Sequence, residues 1–293
     1  MQDIETLNGN LTEVSEVKLP GGWRGVVAVR AGESGQFSKS IWEKLLSEPA
    51  KLLEGTKEKL KVEGENSVSV KILDAGGNEI KAVIKRRQRS GILGMLRSIG
   101  TAHSIRNFNT TIEIREYGLP VSAPLAGVYH RRFFFCDESI YISEYIEGTN
   151  VYEFLKGVQA QGAERYRMMR QLSAKTSEIF AMLHKNNLWH RDAKATNFIV
   201  NKDEDGEYQI TIIDVDGIKR YLSQSEERQL QGLVHLAASV LALPGISRTD
   251  YLRTFEMYCD EVMIPQERRR DIFIRLADKA KAKYLSKQAQ QGR

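Results

Sequence analysis

The amino-acid sequence predicts an α+β protein with two lobes, a small lobe built on an antiparallel sheet and a larger helical lobe. Its 293 residues are long enough for two ordinary lobes, each with its own core. Residues 58–87 alternate between β-prone runs and short glycine-containing turns, as an antiparallel meander does. After Gly148 the chain is mostly helical in pattern, and only one predicted hairpin interrupts it.

The predicted sheet of the small lobe consists of β-prone runs bounded by turn residues. Five such runs are expected to be strands: Glu58–Glu63, Ser67–Asp74, Glu79–Arg87, Val128–Phe135 and Ile140–Tyr145. A helix is predicted over residues 95–117, because Gly118 and Pro120 end its pattern. The aromatic run Phe133–Phe135 is expected to pack on the sheet as part of a strand.

Three segments follow from these elements. Residues 1–57, with a strand at 20–32 and a helix at 38–53, are expected to form an N-terminal extension that packs on the small lobe. Residues 58–146 form the predicted sheet lobe and residues 147–293 the predicted helical lobe. Within the helical lobe the predicted elements are helices at 150–159, 163–186, 225–242 and 249–286, and a hairpin of Phe198–Val200 with Gln209–Asp214.

Composition narrows the class of protein. Hydrophobic residues make up 41% of the chain and charged residues 28%, which is a soluble globular balance. The net charge of +5 suits anionic partners without selecting nucleic acid, and no nucleic-acid partner is expected. Two cysteines, Cys136 and Cys259, provide no disulfide framework, so a reducing compartment is expected. The N-terminus shows neither the basic nor the apolar segment of a signal peptide.

The stretch LWHRDAKATNFIV at Leu188–Val200 carries the clearest chemical signal. His190, Arg191, Asp192 and Asn197 match the phosphoryl-transfer signature H-R-D-x-x-x-x-N without a gap. In this chemistry an aspartate orients the attacking hydroxyl, and an asparagine holds magnesium on the phosphates. Lys194, two residues after the aspartate, can neutralise charge on the transferred phosphate. The alternative is a polar loop that only caps a strand.

Asp214 is a second candidate, because it directly follows the apolar run Ile210–Ile213. A carboxylate just past a strand suits a magnesium ligand, and the predicted hairpin brings it to face Asn197. Asp216 competes for this role, although the pair Asp216-Gly217 is also typical of a simple turn. We favour Asp214 because it lies immediately after the strand.

Lys85 is the third candidate and ends the predicted meander in the sequence AVIK. Protein kinases use a strand lysine at this place to hold the α- and β-phosphates of ATP. The alternative is a solvated face, because the lysine opens the basic run KRRQR.

Taken in order, the three candidates resemble the protein-kinase-like fold. The chain is similar, over residues 45–285, to the bacterial lipopolysaccharide kinase family, the Kdo and core-heptose kinases. Similar features include EYGLPVSAPLAGVYHRR, YISEYIEGTNVYEFL and SRTDYLRTFEMYCDE. The resemblance implies ATP and Mg²⁺ as cofactors. By position it implies Asp192 as catalytic base and Asn197 and Asp214 as metal ligands. Lys85 would contact the nucleotide phosphates, and Gly64 and Ser67 would lie in the loop that covers them. The hinge that binds adenine would run from Glu144 to Ile146.

The chain departs from the family pattern at several positions. The segment Gly64–Ser67 is not G-x-G-x-x-G, and Asp216 replaces the glycine of the D-F-G motif. The glutamate that pairs with the strand lysine falls by position at Asn107. The nearest acid on that helix, Glu113, lies about 240° further round its axis. A pseudokinase that binds nucleotide or partners without transfer therefore stays open.

The segment after Asp214 bears on the acceptor. About ten residues separate Gly217 from the next amphipathic helix, and the A-P-E motif that ends a peptide-binding activation segment is missing. An open shelf suited to a small or glycan acceptor is expected, and a compact linker is the alternative. The leading prediction is phosphate transfer from Mg-ATP to a hydroxyl of a lipopolysaccharide core sugar, Kdo or heptose. The other enzymatic hypothesis is a kinase that acts on a soluble alcohol or on a protein.

Basic residues of the predicted sheet lobe raise the question of a membrane. The set comprises Arg86, Arg87, Arg89, Arg97, Arg131 and Arg132. Such a set is commonly a solvated face, and the functional alternative is contact with anionic lipid headgroups or phosphorylated sugars. No run is long and apolar enough to span a bilayer. The resemblance implies a cytoplasmic protein that works at the inner face of the inner membrane, with lipopolysaccharide core or a related glycan as its partner.

Overall fold

The computed structural model describes residues 4–5, 11–30, 38–49, 52, 58–63, 66–74, 79–89, 100–222 and 225–291, and all structural statements refer to them. The chain divides into two compact units, Met1–Tyr145 and Ile146–Arg293. The first is built on a sheet and the second is mostly helical. In the described part of the chain, no helix combines the length and apolar character needed to cross a bilayer.

The first unit contains an eight-stranded sheet in which every neighbouring pair is antiparallel. Its strands are β1 (Ile4–Glu5), β2 (Leu11–Lys18), β3 (Trp23–Arg30), β4 (Glu58–Glu63), β5 (Asn66–Asp74), β6 (Glu79–Gln88), β7 (Pro124–Arg132) and β8 (Phe135–Glu144). Their order across the sheet is β1-β2-β3-β7-β8-β6-β5-β4. The meander predicted from sequence is the β4-β5-β6 end of this sheet.

The strands of the N-terminal segment continue the sheet itself. Only β3 is predicted from sequence; β2, whose sequence LTEVSEVK has its apolar residues at every third position and so lacks the alternation of a strand, is not. The junction with the rest of the sheet is tight, because β3 pairs with β7. A Cβ atom at Gly25 would lie 2.2 Å from the carbonyl oxygen of Gly127, so glycine is needed for the two strands to approach this closely.

Both faces of the sheet are covered by a helix. On one face Trp42 of α1 (Lys39–Leu45) is fully buried, and its indole N–H donates to the Ala28 carbonyl at 2.9 Å. On the other face Phe108 of α2 (His103–Glu116) packs with Ala28 and Tyr141. Large apolar side chains therefore hold the sheet between two helices.

The predicted strand Val128–Phe135 is wrong at its end. In the register of β7 and β8, Arg132 pairs with Phe135, which leaves Phe133 and Phe134 as a two-residue turn. Both aromatic rings are exposed and do not pack on the sheet. Aromatic residues are enriched in strands, which explains why the sequence predicted a strand here.

The second unit consists of five helices and two small sheets in the described residues. The helices are α3 (Val151–Lys156), α4 (Gly162–Lys185), α5 (Glu226–Val240), α6 (Arg248–Glu261) and α7 (Gln266–Gln291). The strands are β9 (Thr149–Asn150), β10 (Leu188–His190), β11 (Phe198–Lys202), β12 (Tyr208–Ile212) and β13 (Ile218–Arg220). The expected hairpin is β11–β12, and β10 pairs with β13.

The single helix predicted at 249–286 is two helices, α6 and α7. The break lies at Met263, whose φ of 57° is left-handed, and at Pro265, which cannot continue a helix from the preceding turn. α6 begins with a capping box, in which Ser247 and Asp250 satisfy each other's backbone N–H groups.

Candidate functional site

The loop between β10 and β11 holds the candidate catalytic residues. It is anchored at its start, because the Arg191 N–H donates to the Gly217 carbonyl at 2.8 Å. It then turns on itself through hydrogen bonds from Lys194 N–H to Asp192 O and from Asn197 N–H to Lys194 O, each 2.8 Å long. These bonds close a short 3₁₀ turn at Ala195–Asn197 and fix the polar side chains relative to one another.

Asp192 and Lys194 form the central ion pair of this loop. Lys194 Nζ lies 2.7 Å from Asp192 Oδ2, and both side chains are 41% exposed. Burial alone would raise the pKa of Asp192, but the hydrogen bond and charge of Lys194 outweigh it and lower that pKa. The carboxylate is therefore ionised at neutral pH, as a group that orients or deprotonates a hydroxyl must be.

Asn197 is oriented by its own loop. Its Nδ2 donates to the carbonyl oxygen of Asp192 at 2.9 Å, so its Oδ1 is the atom left to accept or to ligate. The Ile213 N–H donates to the Asn197 carbonyl at 3.0 Å, which brings the strand before Asp214 alongside Asn197. One amide oxygen and one carboxylate fit Mg²⁺, which usually keeps several waters and takes few protein ligands.

Asp214 and Asp216 have different surroundings. The Asp216 N–H points to Asp214 Oδ1 at 3.4 Å, as in a turn that begins at Asp214. Asp216 itself lies in the turn leading to β13, where the Ile218 N–H donates to the Val215 carbonyl. Asp214 thus directly follows the strand segment, and Asp216 lies in the turn; the assignment of Asp214 as a metal ligand stays a prediction.

His190, the last residue of β10, is a buried residue directly before the loop. It is fully buried, with its ring centroid 5.9 Å from that of Phe198. Burial lowers its pKa to about 4, although the charges of Asp214 and Asp192 act in the opposite direction. A Cβ atom on Gly217 would lie 2.7 Å from this ring, so the glycine is needed for the ring to fit. His190 is therefore a neutral packing residue.

Two polar residues of α5 also contact the loop, and sequence reasoning assigned no role to either. Ser239 Oγ accepts the Ala195 N–H at 2.9 Å and donates to the Leu236 carbonyl. His235 Nδ1 lies 3.8 Å from Asp192 Oδ1. The available signal was their spacing of four residues, which puts both on one face of an otherwise apolar helix.

Lysines of α7 add positive charge around Asp192. Burial lowers the pKa of Lys287, and the nearby charges of Lys194 and Lys283 lower it further. Lys283 likewise contributes, after burial, to the lowered pKa of His235. The sequence predicted a simple charged surface for this part of the helix, because the distance along the chain hides its proximity to Asp192.

Lys85 lies in the middle of the sheet of the first unit. β6 places it between Val68 of β5 and Tyr141 of β8, on the sheet face covered by α2. On that helix Thr111 Oγ1 bonds the Tyr141 hydroxyl at 2.9 Å and the Asn107 carbonyl at 2.7 Å. The buried Asn107 is therefore near the expected position of the pairing acid but carries no charge.

The remaining residues predicted to bind nucleotide are Gly64, Ser67, Glu144 and Ile146, and they do not lie in one segment. Gly64 lies outside the described residues, and Ser67 is the second residue of β5 and not part of a loop. Glu144 ends β8, where its N–H donates to Ala123 and its carbonyl accepts from Ser122 Oγ. Ile146 is the first residue of the second unit. A carbonyl has two lone pairs, so these bonds leave Glu144 able to accept from a ligand.

The second unit also contains an apolar cavity of about 120 Å³. Helices α3 to α7 and the β11–β12 hairpin line it. Its lining includes Met169, Leu172, Phe180, Leu236, Phe255 and Phe273.

Comparison with solved structures supports the fold. A structure described as WaaP in complex with acyl carrier protein superposes with a TM-score of 0.62 at 16% sequence identity. The match covers 84% of this chain and 96% of that chain. This likeness shows a two-lobed, protein-kinase-like α+β fold, as the sequence predicted. Comparison with curated protein sequences gives no match.

The family is established by sequence. The model of the lipopolysaccharide kinase (Kdo/WaaP) family matches residues 84–258, which is more than half of the chain. The matched range begins one residue before Lys85 and includes Asp192, Asn197 and Asp214. The family predicted from sequence is thus confirmed, and the chain is a kinase that belongs to the lipopolysaccharide kinase (Kdo/WaaP) family.

Proposed function

We propose that the protein transfers the γ-phosphoryl group of Mg-ATP to a hydroxyl of a lipopolysaccharide core sugar, Kdo or heptose. The single observation that carries this proposal is the geometry of the catalytic loop. One loop holds an ionised Asp192 against Lys194 and fixes the Asn197 amide through its nitrogen, which leaves the oxygen as the atom to bind a cation. Such a loop orients a hydroxyl and spreads phosphate charge, which is what phosphoryl transfer asks of a protein.

Each residue of the loop has one task in the proposed reaction. Asp192 accepts the hydrogen bond of the acceptor hydroxyl and then its proton. Lys194 stabilises negative charge on the phosphoryl oxygens during transfer. Asn197 and Asp214 would hold Mg²⁺, which neutralises the nucleotide phosphates when it is bound. Ser239 and His235 position the loop, through the bond to Ala195 and the proximity to Asp192.

Nucleotide binding is assigned to residues of the first unit and of the connection that follows it. Lys85 would contact the ATP phosphates, and Glu144 and Ile146 would bind adenine through their backbone groups. Gly64 would lie in the loop that covers the phosphates, whereas Ser67 lies in β5 and is not assigned to that loop. The residue at the position of the pairing acid, Asn107, carries no charge and cannot form an ion pair with Lys85.

The acceptor class is supported by charge and by chain length. After Gly217 the chain runs through β13 and reaches α5 at Glu226, which leaves little room for a peptide-holding segment. Lys194 and Lys287 put positive charge around Asp192, and Lys283 acts on Lys287 from nearby. This surplus favours an acceptor that carries carboxylate or phosphate groups, as acidic and phosphorylated core sugars do. For such an acceptor, linked to lipid, we propose that the protein works at the cytoplasmic membrane face.

We also propose an acyl carrier protein as a partner. The support is the similar structure, in which WaaP is bound to acyl carrier protein, together with the apolar cavity of the second unit. The test is gel filtration with apo- and acyl-carrier protein. Co-elution that depends on the acyl group, and that the cavity-filling Ala237→Phe removes, supports the proposal; absence of co-elution with both forms rejects it.

The experiment for the main proposal is a transfer assay. Purified protein, ATP labelled in the γ-phosphate and Mg²⁺ are incubated with extracted core oligosaccharide, with a serine-containing peptide and with a simple polyol. Label on the oligosaccharide alone supports the proposal. Label on the peptide or polyol would instead support the broader kinase alternative, and nucleotide binding without transfer to any acceptor would support a pseudokinase.

A further inference from the structure

The tip of the β7–β8 hairpin exposes two large apolar side chains. Phe133 and Phe134 are 84% and 82% exposed, and both neighbouring residues, Arg131 and Arg132, are also exposed. We call the segment Arg131–Phe134 the hairpin tip. Single exposed apolar residues are common on soluble proteins, but two adjacent aromatic rings at the end of a projecting hairpin form a concentrated apolar surface.

The backbone of the tip is unfavourable for the residue that occupies it. Phe133 has a φ of 58°, in the left-handed region. Two-residue hairpin turns favour glycine or asparagine at such positions, because a Cβ atom is disfavoured there. An aromatic ring in this conformation, turned to solvent, stabilises nothing within the described fold. Strain kept at an exposed site is a reason to look for a ligand.

The neighbouring turn contributes charge at the same end of the sheet. β3 begins beside the end of β7, with Trp23 paired to His130 and their ring centroids 5.8 Å apart. Next to this pair, Lys18 and Arg24 are directly opposite each other on β2 and β3, and both are exposed. Like charges directly opposite in a sheet destabilise it, so this pair is a second, independent indication of an anionic partner.

Two acidic residues at this end are engaged with basic ones. Asp137 pairs with His130 at 2.8 Å, and Glu138 pairs with Arg86 at 2.5 Å. Glu16 is exposed on β2, two residues further from the end than Lys18. The exposed positive side chains at this end of the sheet include Arg131 and Arg132 in the tip itself and Lys18 and Arg24 on the strands β2 and β3. Arg97, which the sequence grouped with this basic set, lies outside the described residues.

Part of this charge is held in place. The Arg131 guanidinium donates to the Gly100 carbonyl at 2.7 Å and lies 5.3 Å from the ring centroid of Tyr129. Because these contacts hold Arg131 in place, its charge keeps a fixed position relative to the two exposed rings. An apolar tip followed by basic residues matches the interface of a bilayer, where anionic headgroups cover the acyl chains.

We propose that the hairpin tip is a membrane-docking wedge, with Phe133 and Phe134 inserted among lipid chains and Lys18, Arg24, Arg131 and Arg132 on anionic headgroups. A bilayer offers acyl chains for the two adjacent rings and anionic headgroups for the basic residues, so it fits the whole surface. The inference rests on the proposed function for its purpose, since a lipid-linked acceptor is reached more readily by an enzyme held at its membrane.

The test is sedimentation with vesicles of neutral phosphatidylcholine, alone or with 30% phosphatidylglycerol as an ordinary anionic lipid. The unchanged protein should bind the anionic vesicles, and Phe133→Gly/Phe134→Ser should weaken binding by at least about tenfold. Arg132→Gln should weaken it about fivefold. Matched controls are Met263→Ser, at a residue that is also 84% exposed with a φ of 57°, and Arg270→Gln, at an exposed arginine; neither should change binding.

A second measurement does not depend on loss of binding. In Phe134→Trp, lipid brominated in the acyl chains should quench more tryptophan fluorescence than in the unchanged protein.

The variants that weaken vesicle binding should also keep full transfer to water-soluble core oligosaccharide. They should lose rate only when the acceptor is embedded in vesicles. If the protein binds vesicles through the two phenylalanines but transfers nothing, the wedge stands and the proposed function fails. Equal vesicle binding with and without the two rings, or no binding to anionic vesicles, would overturn the wedge.

Discussion

The side-chain amide of Asn197 donates a hydrogen bond of 2.9 Å to the backbone carbonyl of Asp192. This bond joins the residue proposed to hold metal to the residue proposed to hold the acceptor. It engages the amide nitrogen, so that Oδ1, a suitable ligand for a hard cation, is the atom left to bind one. A single loop thus sets the positions of both groups before either substrate binds.

The metal assignment can be tested by comparing two aspartates. Asp214→Ala should lower transfer by at least about 100-fold, because the metal that neutralises the phosphates loses the charged one of its two proposed protein ligands. Asp216→Ala should have a much smaller effect, since Asp216 lies in the following turn. Initial rates over a magnesium titration measure both. A larger loss in Asp216→Ala than in Asp214→Ala would reverse the assignment.

The role of Lys85 predicts a loss of turnover without a loss of folding. Lys85→Met keeps the length of the side chain but removes its charge, so turnover should fall about 100-fold while the melting temperature changes little. Lys71→Met on neighbouring β5 is the matched control and should leave turnover unchanged. Full activity in Lys85→Met would restore the view that this lysine only decorates a solvated strand.

The contact between Gly217 and His190 predicts a stability effect. Gly217→Ala places a methyl group 2.7 Å from a fully buried ring, so we expect unfolding to become easier by about 1–3 kcal/mol. Gly157→Ala is the control, because a Cβ atom there meets its nearest neighbour at 3.4 Å. Chemical denaturation measures both variants. Equal stability in the two would show that the His190 ring moves freely aside.

Asp250 predicts how stability depends on pH. Its buried carboxylate bonds Arg165 at 2.5 Å and Arg253 at 2.8 Å. Burial acts to raise its pKa, but the bonds to Ser247 and the two arginines lower it to about 2. The folded state therefore binds the proton less readily than the unfolded state. The resulting stability is complete above pH 3.8, and is lost as the pH falls towards 2.

In Asp250→Asn this acid-dependent loss should disappear, and stability at neutral pH should fall by about 2–5 kcal/mol because two arginines lose their partner. Asp278→Asn, on the exposed side of α7, should follow the unchanged protein at every pH. Denaturation midpoints from pH 7 to pH 2 provide the measurement. An unchanged acid limb in Asp250→Asn would mean that other groups control unfolding in this range.

Much of the fold and the loop could be predicted because the signals are local. A strand pattern followed by a turn identifies β4 to β6, and the motif from His190 to Asn197 depends on spacing within one loop. What was missed depends on contacts between distant segments. β2 is recognised as a strand by its pairing with β3, and Lys287 approaches Asp192 only after α7 has packed. The turn at Phe133 follows from register, which composition does not determine.

The most direct measurement combines nucleotide binding and phosphate transfer in Asp192→Asn. The side chain of Asp192 orients the acceptor and does not hold ATP in the proposed reaction. Its loss should leave the thermal shift with ATP and magnesium unchanged and lower transfer to core oligosaccharide by about 10² to 10⁴-fold. Transfer by Asp192→Asn at the rate of the unchanged protein would contradict the catalytic assignment, and so would a complete loss of nucleotide binding.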